Sequence, residues 1–194
     1  WETKLREHKV EPNAENRRSK LTTQLNEAAK ALGAEIKDWD LVDEVVNLVE
    51  WPITITSHFS EELLDLPPKL LVESMKIHQR TFPLYKDGQL ISSFLAVTNQ
   101  PYATDPEVAT IIADGNKRVL TARFYDAKFF YAEDKTIPLS KHGEKLKGMQ
   151  WIRKGGTMWD KVQRIQTIAS QWAPIFGADP QSASTAAGLC KSDL

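Results

Sequence analysis

The apolar positions along the chain fall into helical and alternating runs. Lys4 to Glu11 is short, alternating and mostly polar, and reads as an edge strand. Asn13 then opens a helical pattern with Leu21, Leu25, Ala28 and Leu32 on one face, and Gly33 stands where a left-handed cap residue would end it. Asp38 or Asp40 can cap a second helix carrying Leu41, Val45, Leu48 and Val49 on one stripe. Pro52 stops it, since proline lacks the amide proton and crowds the preceding turn. Ile53 to Thr56 alternates and is β-branched, as a strand would be.

Leu66-Pro67-Pro68 starts a helix predicted to run to about Gln79, with Leu71, Met75 and His78 on one side. Phe82 to Lys86 and Gln89 to Thr98 flank Asp87-Gly88, the dipeptide that closes a tight hairpin, and the second run reads as buried on both faces. Asp105-Pro106 resembles a cap with proline in the first turn. A long helical stretch follows to about Lys135, with a break expected at Asp114-Gly115-Asn116 and an apolar side of Leu120, Ala127 and Tyr131, with Phe124 and Phe130 nearby. Gly155-Gly156 predicts a turn before Thr157, which with Asp160 makes a capping box for a helix packing Val162, Ile165 and Ile168. Ala173 to Pro180 reads as a linker, and Asp179-Pro180 opens a last helix still in progress at Leu194. Strict strand–helix–strand alternation is missing. The pattern is therefore α+β, with an antiparallel sheet and packed helices.

Composition narrows the classes. At 194 residues, 41% hydrophobic and 26% charged, the chain is neither disordered nor a polycation, and its net charge is −1. No apolar run reaches the roughly 18 residues of a membrane span. One cysteine, Cys190, forms no internal disulfide, which suits a reducing compartment such as the cytoplasm. Trp1 is not followed by a basic-then-apolar leader, and with the unfinished last helix the chain reads as a piece of a longer polypeptide. The near-neutral total conceals an asymmetry. Residues 1–70 carry −5, residues 71–194 carry +4, and Lys141 to Arg164 alone carries +5. Such a division can mark a nucleic-acid face or merely solvated helices.

The motifs of common chemistries are sparse. There is no dinucleotide fingerprint and no phosphate loop, and Lys154-Gly155-Gly156-Thr157 is explained as a turn plus cap. His8, His58, His78 and His142 show no ligand spacing, and one cysteine builds no zinc site. His78 shares its predicted face with Leu71 and Met75, so a buried, hydrogen-bonding imidazole is expected there. Asp38/Asp40 and Glu61/Glu62 sit at expected helix starts and complement the helix dipole. The stretch Asn116 to Tyr131 interleaves Lys117, Arg118, Arg123 and Lys128 with aromatic residues. Cations neutralise phosphates and rings stack on bases, although by spacing alone these aromatics read as core and the charges as their solvated backs.

Five ordered blocks go further. Leu48 to Pro52, Met75 to Pro83, Asp87 to Leu90 with Phe94 to Asn99, Gly115 to Tyr131, and Leu146 to Gly148 with Gly156 to Lys161 resemble the β subunit of bacterial-type heterotetrameric glycyl-tRNA synthetases, over about residues 10 to 194. The resemblance implies an internal piece of a glycine–tRNA ligase β subunit. Residues 1–150 would form an α+β module, and residues 151–194 the truncated start of an all-α HD-like domain. In that family the α subunit carries the chemistry with ATP and magnesium, while β binds tRNA. The implied partners are the α subunit, the remaining β domains and tRNA(Gly), with no membrane, no cofactor held by this segment and no catalytic residue carried over. The candidate tRNA contacts are Lys117, Arg118, Arg123, Lys128, Lys145, Lys147, Arg153, Lys154, Lys161 and Arg164. Two rivals stand beside this reading. One is a structural, protein-binding module. The other is an HD-type phosphohydrolase, for which Ser192 before Asp193 replaces the expected His-Asp pair.

Overall fold

Asp87 and Gly88 have φ of 51° and 81°, the left-handed pair whose twist matches that of two hairpin strands. They join β2 (Phe82–Lys86) to β3 (Gln89–Thr98), and β1 (Ile53–His58) pairs antiparallel with the other edge of β3. The sheet order is β1-β3-β2, in a computed structural model that describes residues 1–194. The fold is α+β. The chain divides into two compact units, Trp1–Phe129 and Phe130–Leu194.

In the first unit, β3 is buried on both faces, as the sequence pattern predicts. Leu95 joins Phe82 and Leu84 under α2 (Ala14–Ala31) and α3 (Leu41–Val45), against Leu21, Leu25, Val42 and Val45. Phe94 and Ala96 point the other way. There Phe59, Leu63 of the 3-10 turn Glu61–Asp65, and Leu71 of α4 (Pro68–Glu73) cover them, joined by Leu120 and Phe124 of α5 (Pro106–Asp134). Phe59 packs edge-on to Phe124 with ring centroids 5.0 Å apart. The first part of α5 lies on β1 through Val108, Ile112, Ile53 and Ile55, and Ser57 Oγ donates to the Ala113 carbonyl at 2.9 Å.

Several expectations are corrected. The predicted edge strand at Lys4–Glu11 is instead α1 (Glu2–Glu7) and a turn. Arg6 reaches Glu2 one helical turn back at 3.2 Å and Glu11 at 2.8 Å, and Lys9 at φ 61° turns the chain. These bonds outweigh a weak alternation. The second helix is only five residues long, so Val42 and Val46 are buried and Leu48 faces solvent. After Glu73 the helix widens into a π turn, Ser74–His78. A π turn carries more residues per turn than an α-helix, so His78 swings away from the Leu71–Met75 face and is exposed, not buried. No break occurs at 114–116. Gly115 meets open space, and the Asn116 side chain donates back to the Ile112 carbonyl at 2.9 Å within a continuous α5.

The second unit is mainly helical. α6 (Leu139–His142) leads into a 3-10 turn, Gly143–Gly148, and a two-stranded ribbon of β4 (Gln150–Ile152) and β5 (Gly156–Thr157) that the sequence pattern did not announce. α7 (Met158–Trp172) begins with the predicted capping box of Thr157 and Asp160. Its core is Leu146, Met158 and Val162. Ile165 is half-buried, and Ile168 lies outside the expected packing at 55% exposed. The predicted linker contains a 3-10 turn, Ala173–Phe176, ended by Gly177 at φ 69°. α8 (Pro180–Leu189) is capped by Asp179 and closes at Leu189, short of the chain end that the pattern suggested. It approaches α7 so closely that Gly188 leaves no room for a Cβ beside Gln166, whose amide donates to the Ser184 carbonyl at 3.1 Å. No helix is long and apolar enough to cross a membrane.

Phe124→Ala should destabilise the first unit by about 3–5 kcal/mol, since it empties a buried aromatic site. Ile111→Ala, on the exposed side of the same helix, should stay within about 0.5 kcal/mol. Urea unfolding of both variants checks which face of α5 is core. Arg6 holds the Glu11 carboxyl down from 4.5 to about 2. A carboxylate with a depressed folded value stabilises above its unfolded value and loses that contribution as pH falls through the folded one. The melting temperatures of the parent and Glu11→Gln should therefore differ at pH 6 and converge between pH 4.5 and about 2.

Candidate nucleic-acid interface

The basic residues of α5 are set by helical phase. At about 100° per residue, Lys117, Thr121 and Lys128 lie within about 40° of one another, and Arg118 with Tyr125 and Phe129 occupies the adjoining strip. Leu120 and Phe124 hold the neighbouring stripe in the core. Arg123 emerges on the far flank of that stripe, so the structure does not bring it to Lys117 and Arg118. All four cations are exposed, and none is paired with a carboxylate. Lys117, Arg118, Asp114 and Thr121 line a shallow recess of about 350 Å³, where Thr121 Oγ1 is buried without a hydrogen-bond partner. Lys117 and Arg118 give the recess two exposed cations against the single carboxylate of Asp114.

The aromatics of α5 are not the core that spacing suggested. Only Phe124 is fully buried, while Phe130 is 62% exposed and Tyr125 and Tyr131 are also exposed. The reason is that α5 outruns the sheet it packs on. Tyr125 donates its hydroxyl to Glu62 Oε1 at 2.6 Å, and that carboxylate raises the phenol above its ordinary value.

In the second unit the cations gather round the β4–β5 ribbon. Arg153 and Lys154 occupy its turn, where Lys154 takes φ 70° and Gly156 φ 80°. A side chain at Gly155 would displace that of Ile152, whereas at Gly156 it would strike the capping carboxylate of Asp160 at a φ that favours glycine, so Gly156 is the required one. Arg164 reaches the turn from α7, donating to the Gly155 carbonyl at 3.2 Å. Lys161 Nζ stands 3.3 Å above the centroid of Trp151, and Lys147 Nζ 5.0 Å from that of Trp159. Lys145 is set apart, on the wall of a separate cavity. Trp151 and Trp159 are partners that the charge pattern alone did not reveal. Their nearness in sequence to Arg153, Lys154 and Lys161 was the available signal. The ribbon is anchored by the Thr157 amide donating to Asp160 at 2.7 Å, which draws that carboxyl below its usual range.

No three His, Cys, Asp or Glu side chains converge in a way that could hold a metal ion. His58 Nδ1 is instead 2.8 Å from Ser93 Oγ across the sheet.

The sequence model of one family, the glycyl-tRNA synthetase beta subunit, matches residues 1–194. Among curated relatives, the glycine–tRNA ligase beta subunit of Coxiella burnetii (strain RSA 493 / Nine Mile phase I) is 39% identical over 181 residues, covering 93% of this chain and 26% of the relative. That of Xanthomonas campestris pv. campestris (strain B100) is 39% identical over 193 residues, covering 98% and 27%. That of Phenylobacterium zucineum (strain HLK1) is 42% identical over 164 residues, covering 82% and 24%. The chain belongs to the glycyl-tRNA synthetase beta subunit family, and it spans about a quarter of the length of these curated relatives.

Thr157→Ala removes the cap hydroxyl and should cost the second unit about 0.5–2 kcal/mol. Thr157→Ser keeps the hydroxyl and should avoid most of that loss. Thermal unfolding of the two variants distinguishes the cap from mere bulk.

Proposed function

We propose that this chain is part of a glycine–tRNA ligase β subunit and serves tRNA binding and subunit assembly. One observation carries the reading: Lys117 and Arg118 stand exposed side by side on one recess of α5 with no carboxylate in ion-pair distance of either. Phosphates of tRNA(Gly) would replace the missing partners. Lys128 extends that face. Lys147, Arg153, Lys154, Lys161 and Arg164 offer a second group of phosphate contacts, with Trp151 and Trp159 as stacking surfaces. The mechanism is positional. Holding the RNA in place lowers the entropic cost of transfer on the α subunit, which would use ATP with magnesium in the cytoplasm. In organisation, residues 1–150 would be the α+β module of the subunit and residues 151–194 the opening of its HD-like helical domain.

The assembly role draws on a different surface. Ile168, Trp172, Ile175 and Phe176 are all largely exposed near the end of α7 and the turn after it. Apolar groups grouped in this way mark interfaces, here with the α subunit or the remaining β domains.

Filter binding of the α–β holoenzyme to a tRNA(Gly) transcript across a salt series tests the reading. Replacing both Lys117→Glu and Arg118→Glu should weaken binding and reduce the salt slope by about two, one for each lost phosphate contact. Arg123→Glu, on the other flank, should leave the slope near the parent's. A double variant with the parent's affinity and slope removes the tRNA-contact reading and leaves assembly as the role.

A further inference from the structure

The core of the second unit is small, and a cluster of large apolar side chains stands outside it. That core consists of Leu146, Met158 and Val162, with Met149 and Trp159 packed against it. Outside are Ile168 at 55%, Trp172 at 57%, Ile175 at 75% and Phe176 at 75% exposed. Helical phase makes them one patch. Ile168 and Trp172 are one turn apart on α7. The Trp172 ring stacks on that of Phe176, with centroids 6.5 Å apart and planes 27° from parallel. Ile175 lies in the same 3-10 turn as Phe176, and Gly177 at φ 69° closes that turn. The patch is therefore held in place by regular local structure.

Its chemistry narrows what covers it. From Ile165 to Ala178 the chain carries no charged residue, although 26% of all its residues are charged. A polyanion is disfavoured, because no cation stands within this run to meet phosphates. Arg164, just before it, is already engaged with the Gly155 carbonyl. Charge depletion together with exposed aromatic rings is the composition of the apolar centre of an interface.

A partner that comes and goes is disfavoured too. Below about 70–80 residues a single core is marginal, and this unit runs only over Phe130–Leu194. A cover that completes such a core has to be present whenever the unit is folded, like an obligate interface that resembles a core cut in half. The same polypeptide meets that condition. This chain matches 26% and 27% of the length of two curated relatives, so most of a β chain of that length remains to supply the cover. An α-helix with apolar residues at i, i+3, i+4 and i+7 presents a stripe that packs along Ile168, Trp172 and Phe176.

We infer that this patch is an intrachain docking face, covered by an amphipathic helix of the same β chain from outside residues 1–194. The inference rests on the reading of this chain as part of a β subunit. It assigns the assembly surface to the remaining β chain in preference to the α subunit.

The test uses the full-length β chain, alone and in the α–β holoenzyme, with p-benzoylphenylalanine in place of Phe176. Mixing isotopically light and heavy β separates links within one chain from links between two copies. Photolysis should join that side chain to a β peptide outside residues 1–194, within one chain, whether or not α is present. In a second arm, Ile175→Cys in full-length β should react with a maleimide at least about tenfold more slowly than in urea. That rate should depend neither on β concentration nor on α. If the benzoylphenylalanine variant fails to fold by circular dichroism, the second arm alone decides. Links or protection that need α, or that form between two β chains, overturn the inference and leave the assembly reading standing. No link outside residues 1–194, together with labelling as fast as in urea, overturns both.

Discussion

Everything in the first unit follows from the two-sided burial of β3. Successive residues of a strand point to opposite faces, so Phe94 and Leu95 each need a cover of their own. α2 and α3 supply one, and α4 with α5 the other. The sheet edges are closed by side and main chain. Gln24 of α2 donates to the Pro52 carbonyl and accepts from the Thr54 amide at the β1 edge, and Glu35 exchanges both backbone bonds with Tyr85 at the β2 edge. An exposed strand edge invites pairing with other chains, and these contacts deny it. Leu120 and Phe124 are committed to the cover, and the flanks beside them carry the exposed Lys117, Arg118 and Arg123.

The charge asymmetry takes on structural meaning through pairing. Acids of the first unit are tied to bases of the same unit. Lys76 reaches Asp38 at 2.5 Å and is raised above its ordinary value by that bond, Arg80 meets Glu44, and Arg18 meets Asp43. These pairs fasten the 38–44 segment to its neighbours; the exposed Arg80–Glu44 and Arg18–Asp43 pairs are each worth at most about 1 kcal/mol, whereas Lys76–Asp38 is partly buried. The basic residues of α5 have no such acids, and round the β4–β5 ribbon only Arg164 acts on a carboxylate, that of Asp160. Several rest instead on tryptophan faces or backbone carbonyls.

Structure is legible in the sequence wherever its cause is local. The Asp87-Gly88 hairpin, the Asn13, Asp105, Thr157 and Asp179 caps, Gly33 at φ 61° and the start of α4 at Pro68 all depend on a few neighbouring residues. The family, too, was legible, because five ordered blocks carry far more information than any one motif. The failures have a common physical origin. The π turn that exposes His78, the unbroken α5 through Gly115 and the exposed aromatics beyond Phe124 depend on how far each helix is supported by the sheet. No window of sequence contains that length.

The sequence by itself determined the α+β class, the β2–β3 hairpin and the main helices, the family and the inventory of cations, because these are sums over local pattern and composition. Only the tertiary structure decided which cations act together. It placed Lys117 and Arg118 around Thr121, left Arg123 across a buried stripe, and drew Lys161 over Trp151. It also joined Asp134, His142 and Ser192, distant along the chain, in one cavity. The reason is geometric. Helical phase, the point where an element loses its packing partner and the closure of a turn decide which side chains share a space, and all three are properties of the folded chain.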